Sequence, residues 1–284
     1  MQEYIWDGIK RDRLVWIGDL HPEVMTVNTV FGYNEVIPKS IDLIRDSTPL
    51  PRWMTMCTYS LWWILIQRDW YLYQGNLDYL KEQKSYLCDL LQLIMTRIGE
   101  DGLEKFNDDE GRFLDWPSCE NPLAINAGVQ ALVIQAMKAG YELCSVLGED
   151  MLATKCEAVR RKMVNAAPKI IKPFLKSGMA PDAPGQKQAA SLLALTGLIS
   201  PKEANQKYLS VNGGHGFSTF YGYYMLQAMA AAGNYQGAID VIRQYWGAMI
   251  DLGATTFWED FNLDWLPDAS RIDELVATGL SLIH

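Results

Sequence analysis

The chain begins with a segment in which acidic, basic and aromatic residues are crowded together. Residues 7–19 contain the carboxylates Asp7, Asp12 and Asp19, with three basic side chains and Trp16 among them. Carboxylates near cations stay ionised, whereas a carboxyl pressed against an apolar wall such as Trp16 has a raised pKa and suits a general acid. The composition predicts either a polar site for proton transfer or a solvated surface loop with a salt bridge or two.

A second acidic and aromatic segment lies at residues 253–265, near the other end of the chain. Here Glu259 stands between Trp258 and Asp260. A carboxylate held between an aromatic wall and a like charge suits a proton acceptor. The alternative is a helix N-terminus decorated with acids, because the first turn of a helix favours negative charge.

Two further loops carry polar groups beside aromatic or glycine residues. The dipeptide Asp115-Trp116 falls in the longest connection of the chain, and His215 lies in the run Gly213-Gly214-His215-Gly216. Glycines let a backbone approach a ligand closely, but the spacing is not that of a phosphate loop. We expect His215 either to line a pocket or to make an ordinary hydrogen bond.

Histidine, serine and metal chemistry are disfavoured by what the chain contains. With three histidines, a Ser-His-Asp hydrolase would have to use His21 or His215, and no GxSxG turn is present to carry the nucleophile. No two histidines have metal-ligand spacing, and the five cysteines form no CxxC pair. We therefore expect buried thiols, no metal and no cofactor, which leaves carboxylate chemistry.

Composition limits the partners. A net charge of −9 argues against binding nucleic acid, because such surfaces neutralise phosphates with clustered Lys and Arg. Ten Trp and fourteen Tyr suit stacking on sugar rings, or alternatively a large Trp-rich core. The expected partner is a carbohydrate, with no nucleic acid and no membrane.

No stretch of the sequence reaches the roughly 18 to 20 apolar residues that span a bilayer, and residues 1–9 show no secretory leader. We expect a soluble protein, cytoplasmic or periplasmic in its parent. Nothing in the composition marks a seam, so we expect one domain over residues 1–284.

The rest of the chain is predicted to be helical, because apolar residues recur at helical spacing and strand signals are nearly absent. Short links such as Gln74-Gly75-Asn76 and Ala232-Gly233-Asn234 alternate with long polar connections. This alternation favours an all-α toroid of dissimilar helical hairpins with functional loops at one end. The predicted helices cover residues 22–30, 33–45, 53–74, 77–97, 121–147, 149–171, 186–196, 201–209, 218–232 and 235–249.

The first and second segments resemble two motifs of glycoside hydrolase family 78, the α-L-rhamnosidases. The early motif, roughly D-C-P-x-R-(D/E)-(R/K)-x-x-W-x-G-D, is matched at Asp7, Arg11, Asp12, Arg13, Trp16, Gly18 and Asp19. The late motif, G-A-T-T-x-W-E, is matched at Gly253, Ala254, Thr255, Thr256, Trp258 and Glu259. Both occur in the family's order, and the resemblance covers nearly the whole chain.

The resemblance implies an (α/α)6 barrel and an inverting α-L-rhamnosidase that releases terminal rhamnose. It implies that Asp12 is the general acid and Glu259 the general base. In an inverting hydrolase such a pair lies roughly 6.5 to 9.5 Å apart, and no metal is required. It also implies substrate binding by Asp7, Arg11, Trp16, Asp19, Trp116, His215 and Trp258, with the three Trp residues as apolar walls.

The chain departs from the family pattern in three respects. Gly8-Ile9 replaces Cys-Pro, Asp12 is one methylene shorter than the glutamate of many relatives, and the chain starts and stops within the expected barrel. We therefore expect a partial barrel, incomplete at both ends. Two alternatives stay open: a sugar-binding remnant without acid catalysis, and a barrel hydrolase of another sugar such as an unsaturated uronide, against which the negative charge weighs.

Overall fold

The computed structural model describes residues 3–8 and 12–265, and this part of the chain is helical. It contains no strand, only two isolated antiparallel bridges, Asp7 with Leu14 and Ile98 with Glu104. The predicted all-α class is confirmed. The helices are α1 (Leu20–Val30), α2 (Val36–Ser47), α3 (Cys57–Gln74), α4 (Leu77–Met95), α5 (Pro122–Val146), α6 (Asp150–Ala166), α7 (Pro168–Leu175), α8 (Gln186–Leu195), α9 (Pro201–Ala204), α10 (Thr219–Ala231) and α11 (Tyr235–Asp251).

Two predicted helix caps are confirmed. The Asn76 side chain accepts a hydrogen bond from the Tyr79 amide at the start of α4, and the Ser200 side chain accepts one from the Glu203 amide at the start of α9. Both satisfy amides that have no partner within the helix. The short link before α4 also forms as expected, because Gly75 ends α3 with a φ of 64°.

Three predicted helices differ from the structure in their start, continuity or type. The helix predicted from residue 53 begins at Cys57, because Thr55 has a φ of 69°, which no right-handed helix accommodates. The helix predicted over 149–171 is two helices, since Pro168, which lacks an amide hydrogen, starts α7. The helix predicted over 201–209 changes from α-helix to π-helix at Asn205.

The described residues form two compact units. The first contains residues 3–6, 15–112 and 132–169, and the second contains residues 7–8, 12–14, 113–131 and 170–265. The core of the first unit is built on α3, whose residues are buried nearly all round, including Trp62, Trp63 and Trp70. Part of the tryptophan content is therefore core material, as the alternative interpretation of the composition held.

In the second unit, α8 packs against α10, and α10 packs against α11. Helix α8 is buried on every side, so even its polar residues Gln186, Lys187 and Gln188 are shielded from solvent. The close approach of α10 to α11 depends on Gly222, because a Cβ there would lie 2.6 Å from the Trp246 ring. Asn234 caps α11 by accepting a hydrogen bond from the Gly237 amide.

All five cysteines are free thiols, but not all are buried. Cys57, Cys144 and Cys156 are buried as expected, whereas Cys88 is half-buried and Cys119 is exposed. No helix within residues 3–8 and 12–265 is long and apolar enough to cross a membrane. In the same residues, no three His, Cys, Asp or Glu side chains are grouped so as to hold a metal ion.

Two glycine-to-alanine substitutions separate close packing from helix propensity. Gly222→Ala should lower the free energy of unfolding by about 1–3 kcal/mol, because the new methyl group meets the Trp246 ring. Gly247→Ala, in α11 with open space around it, should raise that energy by about 0.5–1 kcal/mol. Urea unfolding followed by circular dichroism measures both, and changes of the same sign would contradict the packing argument.

Candidate active site

The first part of the early motif lies in the second unit, where Asp7 and Leu14 pair through their main chains. The Asp7 amide donates to the Leu14 carbonyl at 2.8 Å, and the Leu14 amide donates back to Asp7 at 3.3 Å. Inside this pair, the Gly8 amide donates to Asp7 Oδ1 at 2.6 Å. Asp7 is only 1 % exposed. Because its Oδ1 accepts the hydrogen bond from the Gly8 amide, the Asp7 side chain helps to shape the loop that carries Asp12.

Asp12 is half-buried and lies against the main chain of Gly8. A Cβ on Gly8 would meet Asp12 Cβ at 3.2 Å and Asp12 Oδ2 at 3.3 Å, and Gly8 has a φ of 58°. The short distances and the positive φ both favour glycine, which has no Cβ. This explains why the loop accommodates Gly8 where the family pattern has cysteine. Arg11, predicted to bind substrate, lies outside the described residues.

The later part of the early motif belongs to the first unit and is organised by Tyr59. The Tyr59 ring covers the main chain of Gly18 so closely that a Cβ there would come within 2.2 Å of ring carbon Cε1. The Tyr59 hydroxyl donates to Asp19 Oδ2 at 3.1 Å, and the ring meets Trp16 edge-on with centroids 6.4 Å apart. Tyr59 thus connects Trp16, Gly18 and Asp19, a role that sequence reasoning missed.

Glu259 of the late motif is held by Trp116. The indole Nε1 of Trp116 donates to Glu259 Oε1 at 2.7 Å. Trp116 is 50 % exposed and Glu259 is half-buried, so both side chains can reach a ligand from solvent. The Trp116 ring packs edge-on against Phe113 with centroids 5.1 Å apart. The structure therefore unites two predicted site residues that are far apart in sequence.

The main chain beside Glu259 is held as well. The Thr219 hydroxyl, on the first residue of α10, donates to the Trp258 carbonyl. The Trp258 amide faces the sulfur of Met249 at 3.5 Å, and the Trp258 ring packs edge-on against Phe261. The carbonyl of Phe261 in turn accepts a hydrogen bond from the Tyr245 hydroxyl at 2.9 Å. The late segment is thus tied to α10 and α11.

Asp115, the residue before Trp116, is buried and collects several hydrogen bonds. Its Oδ1 accepts from the Ser118 amide at 3.0 Å and from the Ser118 hydroxyl. Its Oδ2 accepts from Gln188 Nε2 at 3.0 Å and from the Ser218 hydroxyl. Burial raises the pKa of Asp115 above its usual value, although these hydrogen bonds oppose the increase. The sequence singled out the Asp115-Trp116 pair, but no role was predicted for Asp115.

The glycine loop that carries His215 is held by a buried lysine. Lys187 Nζ donates to the carbonyls of Val211 at 2.8 Å and Gly213 at 2.7 Å, with Leu209 at 3.4 Å. The ammonium group also lies 4.9 Å from the centroid of the Phe217 ring, a favourable cation–π distance. Lys187, which sequence reasoning missed, therefore fixes the path of the main chain just before His215.

His215 is partly exposed, and its Nδ1 lies 3.5 Å from Asp264 Oδ1.

The predicted site residues fall into two groups, one in each unit. Trp16 and Asp19 belong to the first unit. Asp7, Asp12, Trp116, His215, Trp258 and Glu259 belong to the second unit.

The model of the family described as the bacterial α-L-rhamnosidase six-hairpin glycosidase domain matches residues 1–274. A comparison with curated protein sequences finds no significant match. The match extends over nearly all of the chain and includes both motif segments.

Three solved structures are similar in fold. A rhamnosidase from Klebsiella oxytoca with rhamnose bound has a TM-score of 0.76 at 21 % identity, covering 100 % of this chain and 57 % of its own. A family 78 rhamnosidase from Bacillus sp. GL1 has a TM-score of 0.71 at 20 % identity, covering 95 % and 30 % respectively. An α-L-rhamnosidase from Dictyoglomus thermophilum has a TM-score of 0.65 at 19 % identity, covering 90 % and 31 %.

The family match and the similar structures confirm the predicted all-α fold class of helical hairpins. The chain spans a little over half of the Klebsiella protein and about a third of the other two. At these identities the solved structures establish the fold of the chain.

Lys187→Met should show how much the buried ammonium stabilises the loop before His215. The apolar side chain leaves the carbonyls of Val211 and Gly213 without their donor, so the free energy of unfolding should fall by about 1–3 kcal/mol. The exposed Lys202→Met is the matched control and should change it by less than about 0.5 kcal/mol. Equal effects in urea unfolding would show that the ammonium does not hold the loop.

The same lysine should make stability depend on pH. Burial lowers the pKa of Lys187 to about 8, whereas a lysine in an unfolded chain titrates near ~10.4. Between these values the unfolded state binds more protons, so stability rises with pH. The wild type should therefore gain stability relative to Lys187→Met between pH 8 and 10. A constant difference in urea unfolding across that range would contradict this titration.

Proposed function

Because the chain belongs to the family of bacterial α-L-rhamnosidase six-hairpin glycosidase domains, we propose that it is an inverting α-L-rhamnosidase domain that releases terminal rhamnose from glycosides or polysaccharides. The observation that carries the proposal is the hydrogen bond from Trp116 to Glu259. It places an aromatic wall and a half-exposed carboxylate side by side, as the recognition and hydrolysis of a sugar both require. Residues 1–284 act as one catalytic domain in this proposal.

The proposed reaction uses two carboxyl groups. Asp12, in its protonated form, gives its proton to the glycosidic oxygen as the bond to the anomeric carbon breaks. Glu259, ionised, takes a proton from the water that attacks that carbon from the opposite face. The products are the free sugar with inverted anomeric configuration and the released alcohol. No metal or other cofactor takes part.

The surroundings of the two carboxyl groups support these roles. Asp12 lies against Gly8 in a loop closed by main-chain hydrogen bonds, so its position is restricted, and the residue is partly exposed. Glu259 accepts a hydrogen bond from the indole of Trp116, and this bond orients its carboxylate. Both residues are therefore held in place and partly exposed, as groups that transfer protons to a substrate must be.

The remaining predicted residues have supporting roles in this proposal. In the second unit, Trp116 and Trp258 provide apolar walls for the sugar ring. In the first unit, Trp16 and Asp19, which both contact Tyr59, are proposed for substrate binding as the family motif implies. Arg11 and His215 add polar contacts to the substrate. Asp7 contributes chiefly by shaping the loop of Asp12, because its carboxylate is buried.

Two substitutions test the proposed mechanism. Asp12→Asn and Glu259→Gln should each lower kcat by about 10²–10⁴-fold, since each removes a proton-transfer group. The loss in Asp12→Asn should be smaller for nitrophenyl α-L-rhamnoside than for an alkyl rhamnoside, because nitrophenolate leaves without protonation. The loss in Glu259→Gln should be similar for both substrates. Asp240→Asn, at an exposed position of α11, is the matched control and should keep wild-type activity.

The outcomes of this experiment are distinct. Near-normal turnover in both variants would exclude the proposed pair. A wild-type protein that binds rhamnose in calorimetry without hydrolysing any rhamnoside would be a sugar-binding remnant of the barrel. Hydrolysis of unsaturated uronides in place of rhamnosides would identify a different sugar specificity. Proton NMR of the first product should show the inverted anomer, and retention of configuration would contradict the mechanism.

A further inference from the structure

Three pairs of adjacent residues in the second unit form a closed ring. The pairs are 115–116, 218–219 and 258–259, and three hydrogen bonds join them. Trp116 donates to Glu259, Thr219 donates to the Trp258 carbonyl, and Ser218 donates to Asp115. Following the chain and these bonds in turn returns to the starting residue. Glu259 is therefore approached from its side chain and from its main chain at the same time.

One side of this hydrogen-bonded ring, its back, is buried, and the opposite side, its front, is exposed to solvent. Asp115, Ser218 and Thr219 are each less than 5 % exposed, whereas Trp116 is half-exposed and Glu259 is half-buried. Breaking a hydrogen bond among buried groups leaves a donor or acceptor unsatisfied, which costs far more than breaking one in water. The back of the ring is therefore its rigid part, and the front is the part that meets solvent.

Glu259 needs such support because its own segment has no regular structure. After α11 ends at Asp251, residues 252–265 form only turns and bends, so no helix or strand sets the direction of the Glu259 side chain. Asp115 is tied to Ser118 and Gln188 in addition to Ser218. The ring thus connects an irregular segment to α8 and to the first residues of α10.

We propose that Asp115, Ser218 and Thr219 are positioning residues that fix the carboxylate of Glu259 through this ring. The proposal rests on the proposed role of Glu259 as the general base. The hydrogen bond between Ser218 and Asp115 fixes the position of the adjacent Trp116. The hydrogen bond from Thr219 to the Trp258 carbonyl fixes the position of the main chain next to Glu259. The Trp258 ring is packed against Phe261 independently of the Thr219 bond, so we expect the loss of the Thr219 hydroxyl to act mainly on turnover. A displacement of about 1 Å at a catalytic group can cost roughly a hundredfold in rate.

Thr219 offers the cleanest test, because two substitutions separate its hydroxyl from its shape. Thr219→Val keeps the branched side chain but loses the donor to Trp258, and we expect kcat for an aryl rhamnoside to fall about tenfold or more. KM should stay within about twofold of the wild type, since no sugar contact is lost. Thr219→Ser keeps the hydroxyl, and kcat should stay within about threefold. Equal losses in both variants would assign the effect to packing and overturn the proposal.

A double-mutant cycle distinguishes a positioning role of Thr219 from a general contribution to stability, because it measures whether the two substitutions affect turnover independently. If Thr219 acts through Glu259, Thr219→Val should have no further effect on the residual turnover of Glu259→Gln. An additive loss would show that Thr219 supports the fold in general, and the positioning role would be wrong. Circular dichroism and the thermal midpoint check that each variant is folded. If Thr219→Val does not fold, Ser218→Ala replaces it in the same cycle.

Failure of this proposal differs from failure of the proposed function. Wild-type kcat in Thr219→Val together with an inactive Glu259→Gln would overturn the positioning role and leave Glu259 as the base. Full activity in Glu259→Gln would overturn the base assignment and the positioning role with it.

Discussion

The buried carboxyl group of Asp115 is the constraint on which the candidate site depends. A buried polar group is stable only when hydrogen-bond partners replace the water it has lost. Here the donors come from Ser118 in the same loop, Gln188 in α8 and Ser218 at the start of α10. Because all must converge on one carboxyl group, the positions of the loop, α8 and α10 within the second unit are fixed relative to each other.

In both acidic loops, a buried carboxyl group lies close to a more exposed side chain that is proposed to act on the substrate. Asp7 is buried and shapes its loop, while the neighbouring Asp12 stays partly accessible. Asp115 is buried and shapes its loop, while the neighbouring Trp116 is half-exposed and contacts Glu259. In each case a shielded carboxylate orders the main chain, so that an adjacent side chain is presented in a defined direction. Such preorganisation lowers the entropy lost when a ligand is positioned.

The sequence predicted the helices well and the internal partners of the loops poorly. Periodicity located the helices, and the capping residues Asn76 and Ser200 were identified from local patterns that depend on neighbours a few positions away. The motifs pointed to Asp12 and Glu259. Tyr59 and Gln188 were missed, because they lie 40 and 73 residues from their acidic partners, Asp19 and Asp115. A contact across such distances leaves no periodic signal in one sequence.

Helix α8 shows most clearly why such contacts escape a reading of the sequence. Its first turn, Gln186-Lys187-Gln188, has the composition of a solvated helix start, yet all three residues are at most 1 % exposed. Successive residues of a helix point about 100° apart, so neighbours can serve different loops. Lys187 binds the carbonyls that precede His215, and Gln188 binds the carboxylate that precedes Trp116. One buried polar turn therefore orders two loops of the candidate site. Its side chains are polar because the loop carbonyls and the Asp115 carboxyl group need hydrogen-bond donors inside the protein.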